Sequence, residues 1–128
     1  MGDNNSAMEY LKKVLAIREN VLGYEHPYTA TAYTNIAATY EALAEYEYAL
    51  EYFANALEIN RIAFGNEHNQ TALSYYNVGN IYYKLNDYKA ALEYYQKSLD
   101  IFKRILPAEH SNIVVLTAKI EELKTKIQ

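Results

Sequence analysis

Apolar residues recur along the chain with the three-to-four-residue spacing of amphipathic helices, and polar residues occupy most positions between them. Sustained apolar–polar alternation and Asn-Gly or Asp-Gly hairpin turns are absent from the sequence. Two prolines and four glycines leave long stretches without a helix breaker. The pattern therefore predicts an all-α chain with helices at roughly 6–22, 28–43, 46–63, 70–85, 88–105 and 111–127.

The sequence contains an internal repeat, since residues 65–106 overlay residues 23–64 without a gap. Sixteen of 42 positions are identical between the two segments. Such self-similarity is typical of repeat architectures, in which each repeat is one small structural unit. We interpret residues 1–128 as one domain with two full repeats, preceded by the second helix of a truncated repeat at 6–22 and followed by a capping helix within 107–128.

Local signals mark several helix ends. Ser6 to Glu9 has the capping-box pattern, which predicts that the first helix begins at about Ser6. Pro27 suits a first helical turn, and Asp87 suits an N-cap because its carboxylate can accept a backbone N–H. Each repeat is expected to break in its middle, near residues 44–45 and 86–87, which gives pairs of antiparallel helices.

Small and aromatic residues recur at fixed places in both full repeats. The first repeat has Tyr33, Ile36, Ala37, Tyr40, Tyr46, Ala49, Phe53 and Ala56; the second has Tyr75, Val78, Gly79, Tyr82, Tyr88, Ala91, Tyr95 and Ser98. This spacing resembles the signature of the tetratricopeptide repeat family. The 42-residue length and the segment Gly23 to Pro27 resemble the kinesin-light-chain type of repeat, although the equivalent segment at 65–69 lacks the proline.

The resemblance implies a right-handed α-solenoid of antiparallel helix pairs, with the first helix of each pair on a concave face that binds a peptide or protein segment. The residues expected to contact that segment are Thr34, Asn35, Ala38, Glu41, Tyr76, Asn77, Asn80, Tyr83 and Lys84. Asn35 and Asn77 occupy equivalent places, and an amide can both donate to and accept from a peptide group. The alternatives are that these amides tie neighbouring hairpins together and that Tyr76 and Tyr83 are partly buried against the next hairpin.

The first helix lacks a partner of its own in the repeat pattern. Its inner face, formed by Met8, Leu11, Leu15 and Leu22, is a candidate self-association surface that would give a homodimer. A longer array or a partner peptide could cover the same face. At the other end, polar residues replace signature positions of the last helix, which suits a capping helix and predicts a natural end to the array.

Composition narrows the function. Cysteine is absent, the net charge is −4, and no apolar run approaches the length of a membrane span, so disulfides, nucleic-acid binding and membrane insertion are not expected. His26, His68 and His110 recur at one place of successive repeats, too far apart in a solenoid to share a metal ion. Phosphate-binding and nucleophile motifs are missing as well. We expect a cytoplasmic, non-enzymatic protein-interaction module without cofactors.

Overall fold

The computed structural model of the protein describes residues 2–22 and 26–127, with the side chains of α1 described over 6–16. In these residues there are six helices and no strands. They are α1 (Gly2–Leu22), α2 (Pro27–Ala42), α3 (Tyr46–Phe64), α4 (Asn69–Lys84), α5 (Tyr88–Ile105) and α6 (Ser111–Ile127). The all-α class predicted from the sequence is confirmed. None of these described helices combines the length and apolar character needed to cross a bilayer.

Helix α1 begins earlier than the sequence predicted. It starts at Gly2, so Ser6 lies inside the helix and the predicted capping-box start at Ser6 is wrong. An acidic residue close to a helix N-terminus is favourable because it opposes the positive end of the helix dipole. The sequence has Asp3 in that position, and this signal competes with the capping-box pattern that begins at Ser6.

A histidine precedes each of the helices α2, α4 and α6. The Nδ1 atoms of His26, His68 and His110 each accept a hydrogen bond, at 3.1 Å, from the backbone N–H two residues later. These bonds satisfy backbone donors that have no partner within the helix itself. Pro27 follows His26 at the first position of α2, as predicted from the sequence. The recurring histidines are therefore helix caps.

The turns α2–α3 and α4–α5 have the same backbone geometry. Ala44 and Asn86 adopt positive φ angles of 59° and 65°. In both turns the next residue donates its N–H to the carbonyl five residues earlier, at 2.9 Å: Glu45 to Tyr40 and Asp87 to Tyr82. This is the hydrogen-bond pattern of a Schellman helix end, and it closes both turns within three residues. Asp87 also caps α5, accepting from the Ala90 N–H at 3.2 Å.

The chain divides into two compact units, Met1–Ala63 and Phe64–Gln128. In the first unit, described residues of α1 and α2 share a core. Met8 and Leu15 pack there with Ala32 and Ile36, and half-buried Tyr40 lies against them. A second cluster joins α2 to α3 through Ala30, Ala56 and Ile59.

The second unit has a larger core between α4, α5 and α6. Tyr95, Phe102, Leu116 and Leu123 are at most 1% exposed in this core. Helices α4 and α5 approach closely at Gly79, where an added Cβ would lie 2.8 Å from Cδ1 of Tyr95. Residue 79 must therefore be small, because the ring of Tyr95 packs against it.

Candidate peptide-contacting face

Four of the expected contact residues lie on α2. Thr34 is half-buried and donates its hydroxyl to the Ala30 carbonyl at 3.0 Å, a bond within the helix. Asn35 and Ala38 are exposed, and Glu41 is half-buried. Among the described residues the side-chain amide of Asn35 has no hydrogen-bond partner, so its donors and acceptor are available to another molecule.

The equivalent amide on α4 is Asn77. It is half-buried, and within the described part of the chain its side chain has no hydrogen-bond partner either. Asn80, one turn later, differs because its Oδ1 accepts the hydroxyl hydrogen of buried Tyr95 on α5. Asn80 therefore links the two helices of its hairpin. This bond lies within one hairpin, so it differs from the link between neighbouring hairpins that the sequence left open for Asn35 and Asn77. Lys84, at the end of α4, is exposed.

Tyr76 and Tyr83 are half-buried rather than fully open. The Tyr76 ring lies 5.7 Å from the Tyr95 ring, and the Lys119 ammonium of α6 lies 5.9 Å from the Tyr76 centroid. The Tyr83 hydroxyl donates to Oε1 of Glu122 on α6 at 3.4 Å. Both tyrosines thus contact the helix of the next repeat while keeping part of each side chain accessible.

Lys119 and Glu122 extend this face and were not selected from the sequence. In the repeat register they take the places of Asn77 and Asn80, so the register could have identified them. They were missed because α6 was interpreted only as a cap. The surface formed by α4 and α6 combines the unpaired amide of Asn77, the partly accessible phenol rings of Tyr76 and Tyr83, and side chains of both charges. Such a surface can hydrogen-bond a peptide backbone and pack against its side chains.

The candidate self-association residues are placed differently from the expectation. Met8 and Leu15 are only 7% and 8% exposed because they pack against apolar residues of α2, and Leu11 is half-buried beside them. The expectation that Met8 and Leu15 lie on an open face is therefore wrong, whereas Leu11 keeps part of its side chain accessible. The side chain of Leu22 lies outside the described residues. The repeat register explains this burial. Met8 and Leu15 lie at places of a second helix that face the first helix of the following repeat.

Lys12 and Lys97, like Lys119, lie over tyrosine rings. The Lys12 ammonium lies 5.5 Å from the Tyr40 centroid, and a hydrogen bond to Tyr40 raises the pKa of Lys12. In the second unit, Lys97 lies 5.8 Å from the Tyr75 centroid and 5.5 Å from that of Tyr94. Both contacts are within cation–π range, so tyrosine clusters of this chain accommodate a cation at their edge.

The described residues contain no group of three or more His, Asp or Glu side chains that could hold a metal ion. The three histidines each use Nδ1 to cap a helix.

The family model described as tetratricopeptide repeat matches residues 1–59 and 32–104. The chain belongs to the tetratricopeptide repeat family. Repeats of this family generally act as protein–protein interaction modules and are typically non-enzymatic scaffolds. Among curated proteins, none matches the sequence significantly.

Solved structures of other proteins share this fold. BtubC (BKLC) from P. vanneervenii superposes with a TM-score of 0.88 at 22% identity, covering 97% of this chain and 50% of that one. Kinesin light chain TPR-like repeats of Podosopora anserina give 0.86 at 22% identity, covering 95% and 58%. The apo form of RapI gives 0.82 at 26% identity, covering 98% and 44%. The chain spans about half the length of these structures.

Proposed function

We propose that this protein binds a segment of another polypeptide through the first-helix faces of its repeats, and that it acts as a non-catalytic adaptor. One observation carries the proposal. Asn35 and Asn77, which occupy equivalent places on α2 and α4, are accessible amides without a hydrogen-bond partner among the described residues. An amide that donates and accepts at once can pair with a peptide group whatever its side chain.

The neighbours of Asn77 favour a peptide over a small molecule. Leu73, one turn earlier on α4, is 36% exposed, and Tyr76 and Tyr83 present partly accessible rings. Lys119 supplies a cation beside Tyr76. This strip has the mixture of amide, apolar and charged groups that suits an extended chain, and it lies on a rigid helix, which limits the ordering cost of binding.

The test uses peptides selected from a phage-displayed random 12-mer library against the full chain. For each selected peptide, Asn35→Ala or Asn77→Ala should weaken binding about three- to tenfold, the effect of losing one hydrogen bond of about 1 kcal/mol. The matched control is Asn55→Ala, which removes an exposed amide from α3. All three substitutions are expected to change stability by less than about 0.5 kcal/mol, because the side chains are not in the core.

Two results would contradict the proposal. Equal losses in Asn55→Ala and Asn77→Ala would place the contact elsewhere. Selected peptides whose affinity is unchanged in both Asn35→Ala and Asn77→Ala would remove the amides from the binding face.

Self-association is a second candidate function. It is favoured by Tyr10 of α1, which is 67% exposed although its equivalents Tyr52 and Tyr94 are half-buried. A large apolar ring left open on a helix is a common component of protein interfaces. The cytoplasmic location expected from the sequence stays a prediction.

A further inference from the structure

The intact hairpins define which first-helix positions face a second helix. In the second unit, Ser98 of α5 donates its hydroxyl to the Ala72 carbonyl of α4 at 2.8 Å, and the Tyr82 and Tyr94 rings stack at 5.4 Å. In the first unit, the equivalent Tyr40 and Tyr52 rings lie 5.6 Å apart. Both hairpins therefore use the same register of contacts, and this register can be applied to α1 and α6, which have no hairpin partner among the described residues.

Helix α6 has the first-helix register, but its second-helix side is open. Val114 is 56% exposed, whereas the equivalent Ala30 and Ala72 are 1% and 0% exposed. Lys124, in the place of Tyr40 and Tyr82, is exposed as well. An open groove between α5 and α6 runs beside this face and is lined by Leu92, Gln96 and Lys124, among others.

Helix α1 has the second-helix register, and its first-helix side is open. Ala7 is exposed, whereas the equivalent Ala49 and Ala91 are fully buried. Tyr10 is 67% exposed, and Val14 is half-buried. The side of α1 that carries Met8 and Leu15 is already engaged with α2, so Ala7, Tyr10 and Val14 mark a separate face.

We propose that α1 of one copy docks on α6 of a second copy and completes a helical hairpin between two chains. This inference rests on the second candidate function, self-association, and names both surfaces. The hairpin register places Tyr10 against Lys124 of the partner copy, Val14 against Val114, and Leu11 against Glu121.

The sizes of the facing residues favour this pairing of helices over a non-specific apolar contact. At the tightest point of the α4–α5 hairpin, Gly79 faces the large Tyr95 ring, and a Cβ would lie 2.8 Å from it. At the corresponding places, α6 has the larger Glu121 and α1 has the smaller Leu11. The exchange of small for large on one helix and large for small on the other keeps the combined volume similar. The carboxylate of Glu121 is already paired with the ammonium of Lys124, 3.7 Å away, so it does not enter the contact as an unpaired charge.

The Tyr10–Lys124 pair replaces a ring–ring contact by a ring–cation contact. The second unit already contains one such contact, since the Lys97 ammonium lies 5.5 Å from the centroid of Tyr94. Tyr94 is the equivalent of Tyr10 in the repeat register. A cation over a tyrosine face is attractive, and partial desolvation in an interface strengthens the attraction.

The two faces are different, so the contact is heterologous. Each copy that donates α1 still has a free α6, so association continues, into a ring if the rotation closes and into a longer chain if it does not. A symmetric α1–α1 dimer would instead stop at two copies and leave α6 unused. Stoichiometry therefore separates the two arrangements.

The test measures solution mass by light scattering of the 14.8 kDa chain over a hundredfold concentration range. The unmodified chain should form assemblies larger than a dimer at the highest concentrations. Tyr10→Lys removes only the α1 face and Val114→Lys only the α6 face, so each variant alone should stay monomeric. An equimolar mixture should form a heterodimer and nothing larger, because each variant retains the face that the other lacks.

Three results would overturn the inference: a monomer at every concentration, a Val114→Lys variant that still dimerises alone, or a mixture that stays monomeric. Ile62→Lys is the matched control, since Ile62 is 57% exposed on α3 and lies on neither face. Circular dichroism checks the helical content of each variant, and Tyr10→Ser and Val114→Ser replace any variant that loses it. Asn35→Ala and Asn77→Ala should leave the mass unchanged, so failure of peptide binding and failure of self-association are distinguishable.

Discussion

At the scale of single residues, the histidines show how a repeated residue can serve structure alone. An imidazole Nδ1 accepts a backbone N–H only while it carries no proton and the ring is held at the helix start. All three caps have the same 3.1 Å length, and each precedes the first helix of a repeat. The recurrence of His at one place of successive repeats therefore follows from the recurrence of helix starts.

Removing one cap should lower stability measurably. His110→Ala leaves the Asn112 N–H without its side-chain acceptor, and we expect a loss of about 1 kcal/mol in the free energy of unfolding, the usual cost of an N-cap. His110→Asn is the matched control because its amide oxygen can cap the same helix. Urea denaturation followed by circular dichroism measures the difference. An equal loss in both variants would show that the ring, and not the hydrogen bond, stabilises this helix start.

The raised pKa of Tyr94 predicts that the protein becomes less stable at alkaline pH. Partial burial raises the pKa of its phenol, and the nearby Tyr82, Glu93 and Tyr75 add to the rise. The unfolded chain then loses this proton before the folded chain does, so the free energy of unfolding should fall as the pH passes from about 10 through the folded pKa. Tyr94→Phe should reduce that fall.

Tyr28→Phe is the control for the alkaline decline, since Tyr28 is 60% exposed and lies far along the sequence from this cluster. Denaturant unfolding at several pH values between about 8 and 11.5 measures both variants. A decline that is unchanged in Tyr94→Phe would assign the effect to other tyrosines.

At the scale of helices, the hairpin α4–α5 depends on one close approach. Gly79→Val should destabilise the protein by about 1–3 kcal/mol, because its side chain would collide with the ring of Tyr95. The double variant Gly79→Val with Tyr95→Leu should lose less than the sum of the single losses, since the shorter residue makes room. Chemical denaturation of all four proteins gives the coupling energy, and strictly additive losses would mean that the close approach does not limit residue 79.

Most of the helices could be predicted from the sequence because their boundaries have local causes. Asp87 caps α5 as expected, and both hairpin turns fall where the repeats were expected to break. The start of α1 could not be predicted, since the capping-box pattern at Ser6 and the acidic residue before it are competing local signals. Local patterns thus fix a boundary only where a single signal is present.

The candidate site could be predicted only in part from the sequence, for a similar reason. The repeat register identified Asn35 and Asn77 as equivalent, and both amides are unpaired in the described residues. It could not separate Asn77 from Asn80, because the bond from Tyr95 to Asn80 depends on a neighbouring helix. The burial of Met8 was missed for the same reason, since it is caused by packing against α2.

At the scale of the whole molecule, each of the two units has a core cluster of its own. Phe102 is 1% exposed in the core of the second unit. Phe102→Ala removes a large buried ring, and a loss of about 3–5 kcal/mol is typical of such a change. Because stability in repeat proteins is distributed over units, we expect the loss to fall mainly on α4, α5 and α6.

Hydrogen exchange measured by mass spectrometry can locate that loss. Peptides from 69–127 of Phe102→Ala should exchange much faster than in the unmodified chain, while peptides from α2 should change less. Ile36→Ala is the matched variant, since Ile36 is fully buried in the first unit, and its effect should be the reverse. A uniform increase across both units in either variant would show that the chain unfolds as one cooperative block, and the separate cores would then have no separate stability.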